Sequence, residues 1–293
     1  MQTLRSKTAG LIIICIIFVL AAIAGVYVYN LFYAVHLIVR LFLADTAATV
    51  MVFVFSLILR NASVYDPYWS VAPVVMLTLL ALQLNHWDAG TLLLVVVVFY
   101  WGVRLTANWI YTFRNLTVQD WRYDMLRKAN PKTFPLVSLI GIHMMPTIVV
   151  FLAMIPAVYY LQAGGLNAFT FVGIAVCIAG ATLELISDLQ MHRFRRCLDC
   201  SRVIETGLWK YARHPNYLGE ICMWWGVYII MLSVLPQRWY FFVGALANTL
   251  LFVLISIPMA EKRMAGNKPG YGDYKNRTRL LLPIPRFKIK NDL

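Results

Sequence analysis

The sequence predicts an all-α fold: a polytopic bundle of about eight transmembrane helices, with seven as the alternative, and both termini cytosolic. Three observations predict it. Of 293 residues, 61% are apolar and only 13% charged, whereas soluble domains carry about a quarter charged residues. Eight apolar runs approach the roughly 20 residues that a helix needs to cross a bilayer. If those runs alternate in direction, all of the 26 lysines and arginines except Arg40 and Arg238 fall on one side, as the positive-inside rule requires of the cytosolic face.

The run 11–29 follows Arg5 and Lys7. It is longer than a signal-peptide core and has no small-residue cleavage site before a soluble region, so it reads as a first spanning helix. Runs 41–60 and 71–86 are the weakest, because Arg40 and Asp45 crowd the first and the second is short and begins near Pro73. Runs 90–110, 134–161, 166–187, 216–235 and 239–259 complete the set. The outer connections, such as "QAGGLN" at 162–167 and "LPQR" at 235–238, are short, so any large functional surface is expected on the cytosolic side. No repeat or linker divides the chain. Residues 1–40 read as an N-terminal helix and its connection, and 41–293 as the main membrane domain with a cytosolic tail.

The net charge of +13 does not argue for nucleic acid, because the basic residues lie between apolar runs and form no face of a soluble domain. Membrane lipids and a phosphorylated ligand are the better partners; nothing fixes the oligomeric state. Of five cysteines, Cys15, Cys177 and Cys222 lie in apolar runs. Cys197 and Cys200 form a lone CxxC with no second ligand pair, so neither a disulfide framework nor a metal site is expected.

Polar side chains beside spanning helices are costly and mark candidate sites. The segment "NASVYDPYWS" (61–70) offers Asp66 in an Asp-Pro turn, or simply a turn with an aromatic belt of Tyr65, Tyr68 and Trp69. In 100–123, Tyr100 and Arg104 share a helical face, as do Tyr111 and Arg114. With Arg122 and Arg127 they make a polyanion site plausible, since guanidinium groups bind phosphate bidentately. In "ELISDLQMHRFRR" (184–196), Glu184, Asp188, Met191 and Arg195 recur on one helical stripe. In "YARHPNYLGE" (211–220), His214 precedes a proline that suits a first helical turn, and Asn216, Gly219 and Glu220 then share a face. That helix start suits a phosphate; the plain alternative is a cap followed by a packing glycine.

Together, "DPYWS" (66–70), "QDWRY" (119–123), "ELISDLQMHRF" (184–194), "TGLWKYARHPNYLGEICMWWG" (206–226) and "YGDYKNRTRLLLPIP" (271–285) resemble the steroid 5-alpha-reductase-like family of integral membrane reductases, in particular its microbial branch. The resemblance covers roughly residues 45–285. The isoprenylcysteine carboxyl methyltransferases share the RHPxYxG turn, so that turn alone leaves NADPH and S-adenosylmethionine both open; "DPYWS" and "QDWRY" favour the reductases.

The resemblance implies NADPH held without a Rossmann domain, and no GxGxxG after a strand is present. It implies nucleotide contacts from Asp188, Arg195, Asn216 and Tyr217 in the site formed with Arg213, His214 and Glu184, support from Glu220, and phosphate binding by Arg104 and Arg114. Tyr271, Tyr274 and Arg277 would close over the adenosine end. The implied reaction delivers a hydride to the β-carbon of an enone while an acid stabilises charge on the carbonyl oxygen. Asp66 with Tyr100 is the expected acid pair. The substrate is expected to be apolar, a steroid or other unsaturated lipid that enters from the bilayer. The expected membrane is the endoplasmic reticulum in a eukaryote or the inner membrane in a bacterium.

Overall fold

A computed structural model describes residues 2–197 and 202–284. Its described residues hold eight helices long and apolar enough to cross a membrane: α1 (Lys7–Leu31), α2 (Leu37–Ile58), α3 (Ala62–Leu84), α4 (Ala89–Thr112), α5 (Phe134–Ala163), α6 (Ala168–Cys197), α7 (Pro215–Val234) and α8 (Pro236–Asn267). The protein is therefore an integral, multi-pass, all-α membrane protein. Large apolar side chains stand exposed on its outer faces, among them Ile12, Val19 and Ile23 of α1 and Phe169 and Val172 of α6, which is stable only where the surrounding solvent is itself apolar.

The chain forms two compact units, Met1–Leu166 and Asn167–Leu293. In the first, α1 and α2 make a hairpin so close that a Cβ at Gly25 would lie 3.2 Å from the Ala44 carbonyl oxygen. The two weak runs are complete helices because their polar groups are satisfied. The Arg40 guanidinium donates to the Tyr29 carbonyl (2.7 Å) and stacks over the Tyr29 ring, and Asp45 accepts from Tyr68. Pro73 is buried within α3 without ending it. Ser6 caps α1 and Asp88 caps α4, each accepting from an amide three residues on.

α3 opens with a 3₁₀ turn, Ala62–Tyr65, whose Asn61 cap accepts from the Ser63 amide (2.9 Å). Within α5, Ser138–Met144 widens into a π-helical segment. α4 ends at Thr112, and Phe113 leaves the helix at φ −62°, ψ 128°. Arg114 therefore lies in the following loop, and the helical face it was expected to share with Tyr111 does not form.

In the second unit α6 and α7 pack backbone to backbone through glycines. A Cβ at Gly219 would lie 2.5 Å from the Gly180 carbonyl oxygen, and one at Gly226 2.8 Å from that of Gly173. Past α8, a short helix Tyr271–Arg277 leads the chain back to 211–214, where Arg213 N donates to Arg279 O (2.8 Å) and His214 N to Leu280 O (3.2 Å).

Candidate functional site

Both units contain buried polar chemistry among their described residues. In the first, α1, α2 and α3 enclose an apolar cavity of about 300 Å³, within the size range of small-molecule sites. Phe18, Gly25, Leu41 and Leu79 are among its walls, and Asp45 and Tyr68 contribute polar atoms. The Tyr68 hydroxyl donates to Asp45 Oδ1 at 2.7 Å. Both residues are buried. Tyr29, which donates to Gln83 Oε1 (2.8 Å), also lines the cavity with Gln83, and the lining residues Val26, Val75 and Leu79 are exposed on the outside of the bundle.

Asp66 lies elsewhere. Its Oδ1 accepts the Tyr123 hydroxyl at 2.7 Å, within a set of bonds that joins the turn at 61–66 to residues 116–123. Asn61 Nδ2 donates to the carbonyls of Leu116 (2.7 Å) and Val118 (3.1 Å), Gln119 Oε1 accepts from the Ala62 amide (2.8 Å), and Ser63 Oγ accepts from that of Asp120 (2.9 Å). Burial, with the Asp66 carboxylate adding to it, holds the Tyr123 phenol well above its usual pKa. The structure thus pairs Asp66 with Tyr123, and Tyr100 sits half-buried on α4. The carboxylate–phenol pair that faces a cavity is Asp45–Tyr68. Sequence reasoning treated Asp45 as a defect in a spanning run and Tyr68 as part of an aromatic belt. The cost of a carboxylate in such a run was the signal that could have found the pair.

The second unit gathers most of the expected cofactor residues. Glu184 is buried on α6 beside Gly219, Asp188 is half-buried one turn on, and Arg195 is exposed, so their stripe climbs from core to surface. Pro215 occupies the first turn of α7 after His214 in a non-helical conformation (φ −137°). His214 stacks on Tyr217 with ring centroids 5.1 Å apart, and Glu220 Oε1 accepts from Trp224 Nε1 (2.7 Å). Among the described residues the Asn216 side-chain oxygen is buried without a hydrogen-bond partner.

Arg213 is committed to the protein. Its Nε donates to Glu261 Oε1 (2.7 Å) and its Nη1 to the carbonyls of Thr278 (2.5 Å) and Lys275 (3.0 Å), while Lys275 Nζ holds Glu261 Oε2 (2.7 Å). That arrangement fastens the tail and leaves Arg213 poorly placed to meet a phosphate. Burial pushes the His214 imidazole down to about 4, against the pull of Glu261 at 3.5 Å, so it is uncharged at neutral pH and makes no ion pair. The Tyr274 hydroxyl donates to the Trp209 carbonyl (2.6 Å), Arg277 pairs with Glu205 at the surface, and burial raises the Tyr271 and Tyr274 phenols. Arg104, buried, and Arg114, exposed, belong to the first unit. Among the described residues no cluster of three or more metal-ligating side chains occurs; Cys200 lies outside them.

No solved structure matches the chain. It is 22% identical over 258 residues to an uncharacterized protein of Schizosaccharomyces pombe, an alignment that covers 76% of this chain and 73% of the yeast protein. The α1 wall of the cavity and Asp45 precede the family-matched part of the sequence, whereas Tyr68, the α6 stripe and the α7 turn fall within it: residues 52–278 match the family described as "Protein of unknown function (DUF1295)", and the chain belongs to that family.

Proposed function

We propose that the protein is an NADPH-dependent membrane reductase of a carbon–carbon double bond conjugated to a carbonyl, acting on a lipid-soluble substrate. One observation carries this reading: a carboxyl and a phenol, hydrogen-bonded at 2.7 Å, in the wall of a largely apolar cavity. A buried carboxylic acid kept neutral can donate to a carbonyl oxygen, and a phenol beside it supplies a second donor. Asp45 and Tyr68 take the roles expected of Asp66 and Tyr100. The apolar walls hold the substrate and exclude water. The resemblance of the motifs to membrane steroid reductases supports the choice of reaction.

NADPH, when bound, supplies the hydride. The residues of the second unit suit a nucleotide: the Asn216 side-chain oxygen is a buried group without a partner that a polar ligand would satisfy, and it stands in the first turn of α7, where a helix dipole favours an anion. Asn216, Tyr217, Tyr271, Asp188 and Arg195 would hold it, with Glu184, His214 and Glu220 as supporting groups and Tyr274 and Arg277 beside the adenosine end. The distribution of basic residues supports cytosolic termini and a cytosolic cofactor side, in the endoplasmic reticulum of a eukaryote or the inner membrane of a bacterium.

The second reading, an S-adenosylmethionine-dependent methyltransferase, is favoured by the RHPNYLG turn at 213–219. Purified protein with NADPH and a panel of lipid enones should consume NADPH, and Asp45→Asn should abolish this. Thermal stabilisation by S-adenosylmethionine, with none by NADPH, sinks the reductase reading.

A further inference from the structure

Arg60 holds a backbone conformation that suits another residue type. Just past the end of α2, the Arg60 amide donates to the Leu57 carbonyl (3.1 Å) and the Asn61 amide to the Ser56 carbonyl (2.9 Å). This pair of bonds sets Arg60 at φ 53°. Glycine is the usual residue at that position of a helix end, because a Cβ there crowds the following carbonyl oxygen. An arginine in its place needs a reason, and the reason lies in its side chain.

That side chain lines a cavity of about 240 Å³, smaller than the pockets that enclose a drug-sized ligand. Ser56 and Leu57 of α2, Phe134 and Ser138 of α5 and Arg127 of the short helix Trp121–Ala129 share the walls with it. The Arg127 guanidinium lies over the Phe134 ring, 4.5 Å from its centroid, and its Nη2 donates to the Arg60 carbonyl (3.1 Å). Its Nε is buried and has no hydrogen-bond partner among the described residues. No acidic side chain among them lines the cavity. The carboxylates closest to Arg127 in sequence are engaged elsewhere, Asp120 by Arg122 (2.9 Å) and Asp124 by Gln119 Nε2 (2.8 Å). Two positive charges therefore share one cavity with no counter-charge.

The position of the cavity in the membrane narrows what could supply one. α2 has 22 residues and is about 33 Å long at about 1.5 Å per residue, enough to cross a hydrocarbon core of about 30 Å. Arg60, two residues beyond its end, then stands at the depth of lipid phosphates. We propose that this cavity binds a phosphate group, with Arg60 and Arg127 as its ligands. Each guanidinium presents a fork that fits two phosphate oxygens, and the unused Arg127 Nε is one of those donors. The bound anion ties the end of α2 to the start of α5. Its lining residues all belong to the first unit and include none assigned to the nucleotide, so the site stands whether or not the protein is a reductase.

Purified protein titrated in detergent with phosphatidic acid, with phosphatidylcholine of the same chains and with inorganic phosphate tests this, with bound species counted by native mass spectrometry. Wild type should prefer phosphatidic acid to phosphatidylcholine. Arg60→Gly and Arg127→Gln should each weaken phosphate binding about tenfold or more, the loss expected of a charged hydrogen-bonding partner. Lys128→Gln, which removes a charge from the exposed neighbouring position, should leave it intact. Without ligand, Arg60→Gly should melt at or above wild type, because glycine suits the turn and the carbonyl that Arg127 uses remains. Phosphatidic acid that resists displacement by inorganic phosphate identifies a lipid headgroup as the occupant, and its ready displacement a soluble phosphate. Binding of neither phosphate species, equal weakening by Lys128→Gln, or a lower melt of ligand-free Arg60→Gly overturns the proposal.

Discussion

Tyr123 gives its hydroxyl to Asp66 Oδ1 at 2.7 Å, and that bond makes one structure of two signatures, "DPYWS" and "QDWRY", that lie more than fifty residues apart in sequence. The turn at 61–66 and the loop at 116–123 are each other's hydrogen-bond partners, so each satisfies backbone groups the other would leave bare. The role this gives Asp66 is to hold the loop, which changes what its substitution should do.

Asp66→Asn should keep the fold and any NADPH consumption, because an amide oxygen still accepts from Tyr123. Tyr123→Phe should cost about 1–3 kcal/mol, the usual loss when a bond to a charged acceptor is removed. Thermal melts in detergent and protease cleavage within 113–123 would read both. Abolished turnover in a stable Asp66→Asn variant would return Asp66 to the catalytic role.

Tyr68→Phe strands the Asp45 carboxyl without its donor and should destabilise the first unit by about 1–3 kcal/mol. Replacing both partners, as Asp45→Leu with Tyr68→Phe, should recover most of that loss, since apolar groups of similar size cost nothing to bury. The double variant should melt near wild type and consume no NADPH. A double variant that melts lower than Tyr68→Phe alone would show that the pair contributes net stability.

How much of this could be read from the sequence differs by residue for physical reasons. The spans were legible because the membrane selects length and hydropathy directly, and even Arg40 and Asp45 did not hide α2. The α6–α7 register was half legible: the glycine at 219 announces close approach, but its partner Gly180 and the second pair, Gly226 with Gly173, are fixed only by the packed backbones. Of the Asp45–Tyr68 pair only the first member was legible, as a carboxylate in a spanning run; its partner lies on another helix, across a turn whose path no local rule sets. The Arg213 bond was hidden for a related reason: its partner Glu261 lies forty-eight residues away in sequence and only the fold brings them together.

Gly226→Ala should separate α6 from α7. The added methyl would sit 2.5 Å from Cys177 Sγ and 2.8 Å from the Gly173 carbonyl oxygen, and backbone cannot yield as a side chain can. A cost of about 1–3 kcal/mol is expected. Gly266→Ala, where a Cβ meets nothing within 4 Å, is the matched control. Equal melts for the two variants would show that the α6–α7 pair tolerates a wider spacing.

Arg213→Lys should loosen the tail although it keeps the charge, because an ammonium cannot reach Glu261 and the carbonyls of Lys275 and Thr278 in the fork that a guanidinium provides. Leaving Glu261 buried with one partner fewer should cost up to about 3–5 kcal/mol. Faster cleavage within 268–284 is the expected sign. A tail as protected as in wild type would mean that Lys275 alone holds Glu261.

The same cluster should make the second unit sensitive to acid through His214. Burial holds its folded pKa down to about 4, with Glu261 pulling upward and Arg213 downward, whereas an unfolded histidine titrates near about 6.5. As pH falls below that value the unfolded chain binds a proton that the folded one refuses, so stability drops until His214 itself protonates near 4 and then levels off. The loss should not exceed about 3 kcal/mol. Tyr217 stacks on the ring and Glu261, paired with Lys275, faces it, so protonation of Glu261 would add to the slope at the acid end. His214→Gln removes only the histidine's share, and melting temperatures of the two proteins should converge as the pH is lowered from neutral toward about 4. A constant difference across that range would mean that His214 titrates normally in the folded state.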